Sequence, residues 1–173
     1  MSIFNKKIKI TPENMGLVVY ETARIRIEGL IKDCEEDIIE YKIALLEVYT
    51  FTYNFFLIEQ ILMKKYNNKI ISVIMDSAFN NFYYTCEKFF DKNEMLSVKK
   101  EVKIKYEMLG KIISKKSIDA FNNNLRDVSK LLLADITGDD NSCLNEVNIM
   151  TIFINITSWI KFSEFLITDY EVK

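Results

Sequence analysis

There is no histidine anywhere in this chain. Its absence removes the side chain most often used as a general base, a transition-metal ligand and a switch near neutral pH. Ser–His and Cys–His nucleophilic catalysis are excluded outright, as are the Glu-x-x-His ligand sets of di-iron helical bundles. Glycine and proline are nearly missing as well: Gly16, Gly29, Gly110, Gly138 and Pro12 are all there are. An all-β domain needs turn residues about every 8–12 positions, and this chain does not carry them. Arginine is scarce, with three residues against twenty lysines, and Ile and Asn are frequent. That bias is the mark of an AT-rich coding sequence, such as that of a low-GC bacterium or its phage. Cys34, Cys86 and Cys143 are few, odd in number and far apart, unlike the dense, even set of a secreted disulfide framework. Isolated thiols of this kind serve as small buried apolar groups. Lys6, Lys7 and Lys9 precede no apolar stretch, so no signal peptide is expected in these first residues. These features predict a cytoplasmic protein.

What is present in quantity is apolar and helical. The 173 residues are 49% apolar, with 12 Phe and 9 Tyr, and the net charge is only −2. That is one domain's worth of chain with ample core material and no signature of disorder. The near-neutral balance argues against a nucleic-acid partner. Residues 1–10 read as an extended or loose arm, and 11–173 as a single helical domain. Thr11-Pro12-Glu13 combines an N-cap, a proline at the first helical position and an acid in the first turn. The first helix then runs to about Lys32. A second starts in the acidic stretch Asp33–Asp37, where negative charge suits the helix dipole, and runs to Met63. Further helices are predicted over about 69–90, 94–116, 117–136 and 143–168.

Two of these helices are apolar on nearly every side. In the second, Leu45, Leu46, Val48, Phe51, Phe55, Phe56, Ile58, Ile61 and Leu62 cover most of the circumference. In the last, the run Val147–Ile160 carries no charge over 14 residues, short of the roughly 18 that suggest a membrane span. Helices apolar all round are buried on most sides. The predicted fold is therefore an all-α, single-domain bundle of about six antiparallel helices, with the second and sixth mostly buried at its centre. Six helices enclose one such helix easily. A second keeps an uncovered face that calls for a broad neighbour or another protein chain.

Candidate sites follow from these patterns. The uncovered face of the last helix is predicted at Phe153, Ile156, Trp159 and Ile160, because aromatic anchors dominate interfaces. Carboxylates able to hold Mg²⁺ without histidine are sought at Glu36 and Glu40, with Asp33 and Asp37 beside them. Glu47 and Glu59 interrupt the most apolar helix. Glu87 and Asp91 are the nearest second acidic pair, and a solvated helix start is the simpler reading of such clusters. The twelve residues Asp135–Glu146 match a calcium-binding EF-hand at positions one, five and twelve. They carry Asp140 where that loop needs glycine, so an acidic capping loop explains them better. Lys99, Lys100, Lys103, Lys111 and Lys115 form a face that reads as an ordinary solvated surface. The aromatic series Phe51–Phe56 and Phe79–Tyr84 reads as core, though a pocket for a small apolar ligand would use the same residues. No catalytic residue, metal or cofactor is assigned. The leading expectation is a helical protein–protein interaction module, adaptor or regulator, that binds another protein or itself. The alternatives are a Mg²⁺-dependent carboxylate phosphohydrolase and a binder of a small apolar ligand.

Overall fold

The computed structural model describes residues 7–34, 40–113, 118–137 and 146–173. In chain order they form β1 (Ile8–Ile10), α1 (Pro12–Cys34), α2 (Glu40–Leu62), α3 (Asn68–Cys86), α4 (Lys92–Ile113), α5 (Ile118–Thr137), α6 (Glu146–Asp169) and β2 (Tyr170–Val172). The all-α class follows from the scarcity of breakers, and the helix starts have local causes. Thr11 Oγ1 accepts the amide of Asn14 at 3.3 Å, and Asn67 Oδ1 accepts that of Ile70 at 3.1 Å. At α4, Asp91 Oδ1 accepts the amides of Asn93 and Glu94 while Glu94 Oε2 accepts that of Asp91. This reciprocal capping box moves the start of α4 into what reads from sequence as a connection.

Two apolar clusters share α2. The first joins α1, α2, α3 and the start of α4 around Met15, Ile27, Phe55, Leu62, Ile74 and Phe82. The second joins α2, α4, α5 and α6 around Tyr53, Leu109, Val128, Leu132, Ile149 and Ile156. Eight consecutive residues of α2, Phe51–Ile58, are all buried, so α2 is the central helix that its all-round apolar sequence demands. α6 departs from the expected second central position. Ile149, Ile152, Ile156, Trp159, Ser163 and Ile167 are buried along one side, while Met150, Ile154 and Phe162 are exposed on the other. One enclosed helix uses up the available neighbours, and α6 lies at the margin.

Side-chain contacts define the relative direction of some helix pairs. Tyr20 stacks on Phe51 and Phe51 meets Phe82, while Phe55 meets Phe79. α2 and α3 therefore run antiparallel. α1 and α3, next but one in the chain, run parallel instead. In the α1–α3 pair, Ser77 Oγ donates to the Glu13 carbonyl at 2.8 Å and Tyr20 Oη pairs with Thr85 Oγ1. In the α2–α6 pair the two C-terminal ends meet: Lys64 pairs with Glu164, and Lys65 Nζ donates to the carbonyls of Ile167 and Tyr170. That lysine supplies donors to carbonyls left open where a helix ends.

Ile8–Ile10, expected within a loose arm, instead pairs in parallel with β2, in the register Ile8↔Tyr170, Lys9↔Glu171, Ile10↔Val172. The two ends of the described chain are thereby joined beside the first core, with Val172 buried in it.

Candidate functional site

Of the four residues expected as an interface, two are buried and Phe153 and Ile160 are partly exposed. Ile156 and Trp159 are 0% and 4% exposed inside the second core. Phe153 packs against that core, and Ile160 against both cores. The physical reason is the phase of the helix. An apolar circumference leaves the buried stripe undetermined, and packing against α2 and α5 selects the line through Ile149, Ile152, Ile156 and Trp159. The opposite line carries Met150 at 57% and Ile154 at 59% exposure, followed by exposed Ser158. Spacing at i, i+4, i+8 places these three on one face. On its flank Phe162 is 39% exposed and lies under the guanidinium of Arg26, 4.2 Å from the ring centroid. Met150 and Ile154 were missed from sequence because their spacing matches that of the buried stripe.

Among the described residues the candidate carboxylates do not converge. Glu36 lies outside the described residues, and of Glu40 only the backbone is described, at the start of α2. Glu47 and Glu59 are both half-buried on α2, but twelve residues apart they point about 120° away from each other. Burial pushes the Glu47 carboxyl above its usual range, and Glu28 of α1 raises it further. Burial also raises Glu59, against the lowering influence of the Tyr106 hydroxyl. The Cys86 thiol near Glu47 is pushed up to about 12, first by burial and then by that carboxylate; it is a neutral thiol at physiological pH, not a nucleophile. Glu87 and Asp91 are exposed, and Asp91 is engaged in the α4 cap. Among the described residues no three of His, Cys, Asp and Glu are gathered as a metal ion requires.

An acid that finds partners in a mostly buried setting is Asp135. Its Oδ2 accepts the Tyr53 hydroxyl at 2.9 Å, and its Oδ1 accepts Lys105 Nζ, whose ammonium also lies 5.2 Å from the Tyr49 ring centroid. The Lys105 and Asp135 side chains are only 13% and 11% exposed. Burial first and Asp135 second raise the Tyr53 hydroxyl well above its ordinary range. This cluster ties α2, α4 and α5 together. Its members are 30 and 82 positions apart, so no local motif announced them. It also commits both oxygens of the residue that would open an EF-hand; the intervening 138–145 lie outside the described residues.

Lys99, Lys100, Lys103 and Lys111 are exposed on α4, with the Lys99 ammonium 5.2 Å from the Tyr83 ring centroid; Lys115 lies outside the described residues. A crevice lined by Met15, Val19, Thr22, Ile58, Ser163 and Ile167 encloses about 10 Å³, room for about one water and none for an apolar ligand. Among the described residues no helix is long and apolar enough to cross a membrane. Comparison with models of known families, with curated proteins and with solved structures gave no match.

Proposed function

We propose that this chain is a cytoplasmic, non-enzymatic protein–protein interaction module that associates through the outer face of α6, first with a second copy of itself. One observation carries the reading. α6 is covered on one side only, and its uncovered side presents Met150 and Ile154, each more than half exposed, within the 14-residue stretch that holds no charge. Solvated helix faces in monomeric proteins are polar, and contiguous apolar surface marks an interaction site.

The size of the face sets the strength. A helix of 24 residues is about 36 Å long, so two such faces bury an area at the lower end of specific interfaces. Full burial of a Met or Ile is worth roughly 1.5–3 kcal/mol, and part of that is already realised in the protomer. After the cost of association, a micromolar dimer is expected.

Sedimentation velocity across about 1–100 µM, spanning that range, checks this. The unmodified chain is expected to shift from monomer to dimer, and Ile154→Lys to stay monomeric throughout. Leu96→Lys, at a residue 63% exposed on α4, is expected to associate like the parent. A parent chain that remains monomeric at the highest concentration overturns the self-association reading.

A further inference from the structure

We infer that the C-terminal end of the chain, from Ser163 through β2, is a detachable strap whose release uncovers the first core while the rest of the bundle stays folded. The two halves of α6 are held differently. Up to Trp159 the buried line of the helix is large and apolar, with Ile149, Ile152, Ile156 and Trp159 all in the second core. Beyond it the buried line continues with Ser163 and Ile167. Both border the crevice that they share with Met15, Val19 and Thr22 of α1 and Ile58 of α2. A small hydroxyl side chain beside a gap makes fewer dispersion contacts than a large apolar one set among neighbours. Arg26 over Phe162 holds α6 to α1 just before this point and marks the hinge.

What remains of the hold lies at the tip of the strap. β1 and β2 pair over three residues each, and the Lys173 amide donates to the Ile10 carbonyl at 3.1 Å. A two-stranded pair of this length has no stability of its own. Val172 adds one buried side chain. Lys65, at the end of α2, pins the last turn of α6 to the start of β2 by donating to the Ile167 and Tyr170 carbonyls. The Lys64–Glu164 pair is exposed at both side chains and contributes little. These ties are few and crowded into one short segment, so they are lost together, and such a unit opens more readily than the body it rests on. α1 is fixed to α3 by the Ser77–Glu13 and Tyr20–Thr85 bonds, so opening moves the strap and leaves α1 in place. It turns Met15, Val19 and Ile58, each at most 3% exposed in the closed chain, toward solvent. The strap is a built-in cover over an apolar slot.

Hydrogen exchange followed at single amides tests it. The hydrogen-bonded amides of residues 163–172 are expected to share one common protection, at least about 100-fold below that of Phe51–Ile58 in α2. Protection that declines residue by residue toward Lys173 is simple fraying and overturns the strap, as does protection equal to that of α2. Lys65→Met keeps the aliphatic stem and removes the donors. It is expected to speed exchange in 163–172 about tenfold and to leave Phe51–Ile58 unchanged; equal acceleration of both segments overturns the assignment of Lys65 as the pin. Lys9 and Glu171 are exposed and paired in register, so cysteines at both positions lock the strap without touching the core. In a background with Cys34→Ser and Cys143→Ser, keeping the buried Cys86, oxidation of the Lys9→Cys, Glu171→Cys protein is expected to slow exchange across 163–172 and reduction to restore it. Exchange there that is the same in both redox states overturns the inference.

Discussion

At the scale of single residues, the consequential groups are the polar ones that helix packing has drawn inside. Asp135 is the clearest. Removing it leaves the Lys105 ammonium and the Tyr53 hydroxyl buried without their acceptor, and breaking a buried pair by deleting one partner costs about 3 kcal/mol or more. Asp135→Ala is therefore expected to lower the urea midpoint strongly. Tyr53→Phe, which removes one hydrogen bond and keeps the ion pair, is expected to cost only about 1 kcal/mol. Equal losses in the two variants would show that the ion pair contributes nothing beyond the Tyr53 bond. Glu47 works in the opposite sense. Its folded-state carboxyl titrates above the unfolded value, through burial and then Glu28, so the native chain holds that proton more tightly. Stability contributed by this site is thus full below the unfolded pKa, falls as pH rises through the folded one, and stays reduced at neutral pH. Glu47→Gln is expected to raise the urea midpoint at pH 7 and to leave it unchanged near pH 3. A gain of the same size at both pH values would place its cause outside the titration. The sequence marked Glu47 and Glu59 as acids interrupting an apolar helix, and the structure half-buries both. Asp135 and Lys105 carried no such mark, because their burial comes from neighbours far along the chain.

At the scale of elements, glycine separates local from tertiary demands. A Cβ on Gly16 would stand 2.4 Å from the Ile74 carbonyl oxygen and 2.5 Å from the Ser77 Cβ, whereas one on Gly110 would meet nothing within 4 Å. Gly16 is what allows α1 to lie against α3 closely enough for the Ser77–Glu13 bond. Gly110→Ala is expected to stabilise the chain by up to about 1 kcal/mol through helix propensity. Gly16→Ala gains the same propensity but must push two helices apart, and overpacking of this kind costs about 1–3 kcal/mol, so a lower melting temperature is expected. Melting curves for the two variants that shift in the same direction would sink this account of the α1–α3 crossing. The capping signal at Thr11 was legible as a helix start. The box at Asp91 and Glu94 was present in the sequence but hidden by its resemblance to a loop. The phase of α6 was not legible, because every side of that helix is apolar enough to be buried.

At the scale of the whole molecule, the arrangement is two cores on one shared helix, with the ends of the described chain joined by the short parallel pairing of β1 and β2. Lys65 links that closure to the end of α2 through the carbonyls of Ile167 and Tyr170. The proposed association belongs to this scale. α6 completes the second core with one face and leaves the other open, so the surface available to a partner is the remainder after intramolecular packing. Loss of dimerisation in Ile154→Lys with unchanged secondary structure would separate that outer face from the core-forming one.

Composition and periodicity alone determined the all-α class, roughly where the helices begin, that α2 is central, and that chemistry using this chain's own histidines is impossible. These are local or compositional properties, decided by breakers, caps and the amount of apolar surface. Which side of α6 faces inward, which acids find partners and which glycine is indispensable were decided only by tertiary structure. Each depends on what lies across from a residue, and helices met dozens of positions apart leave no trace in the spacing of either one.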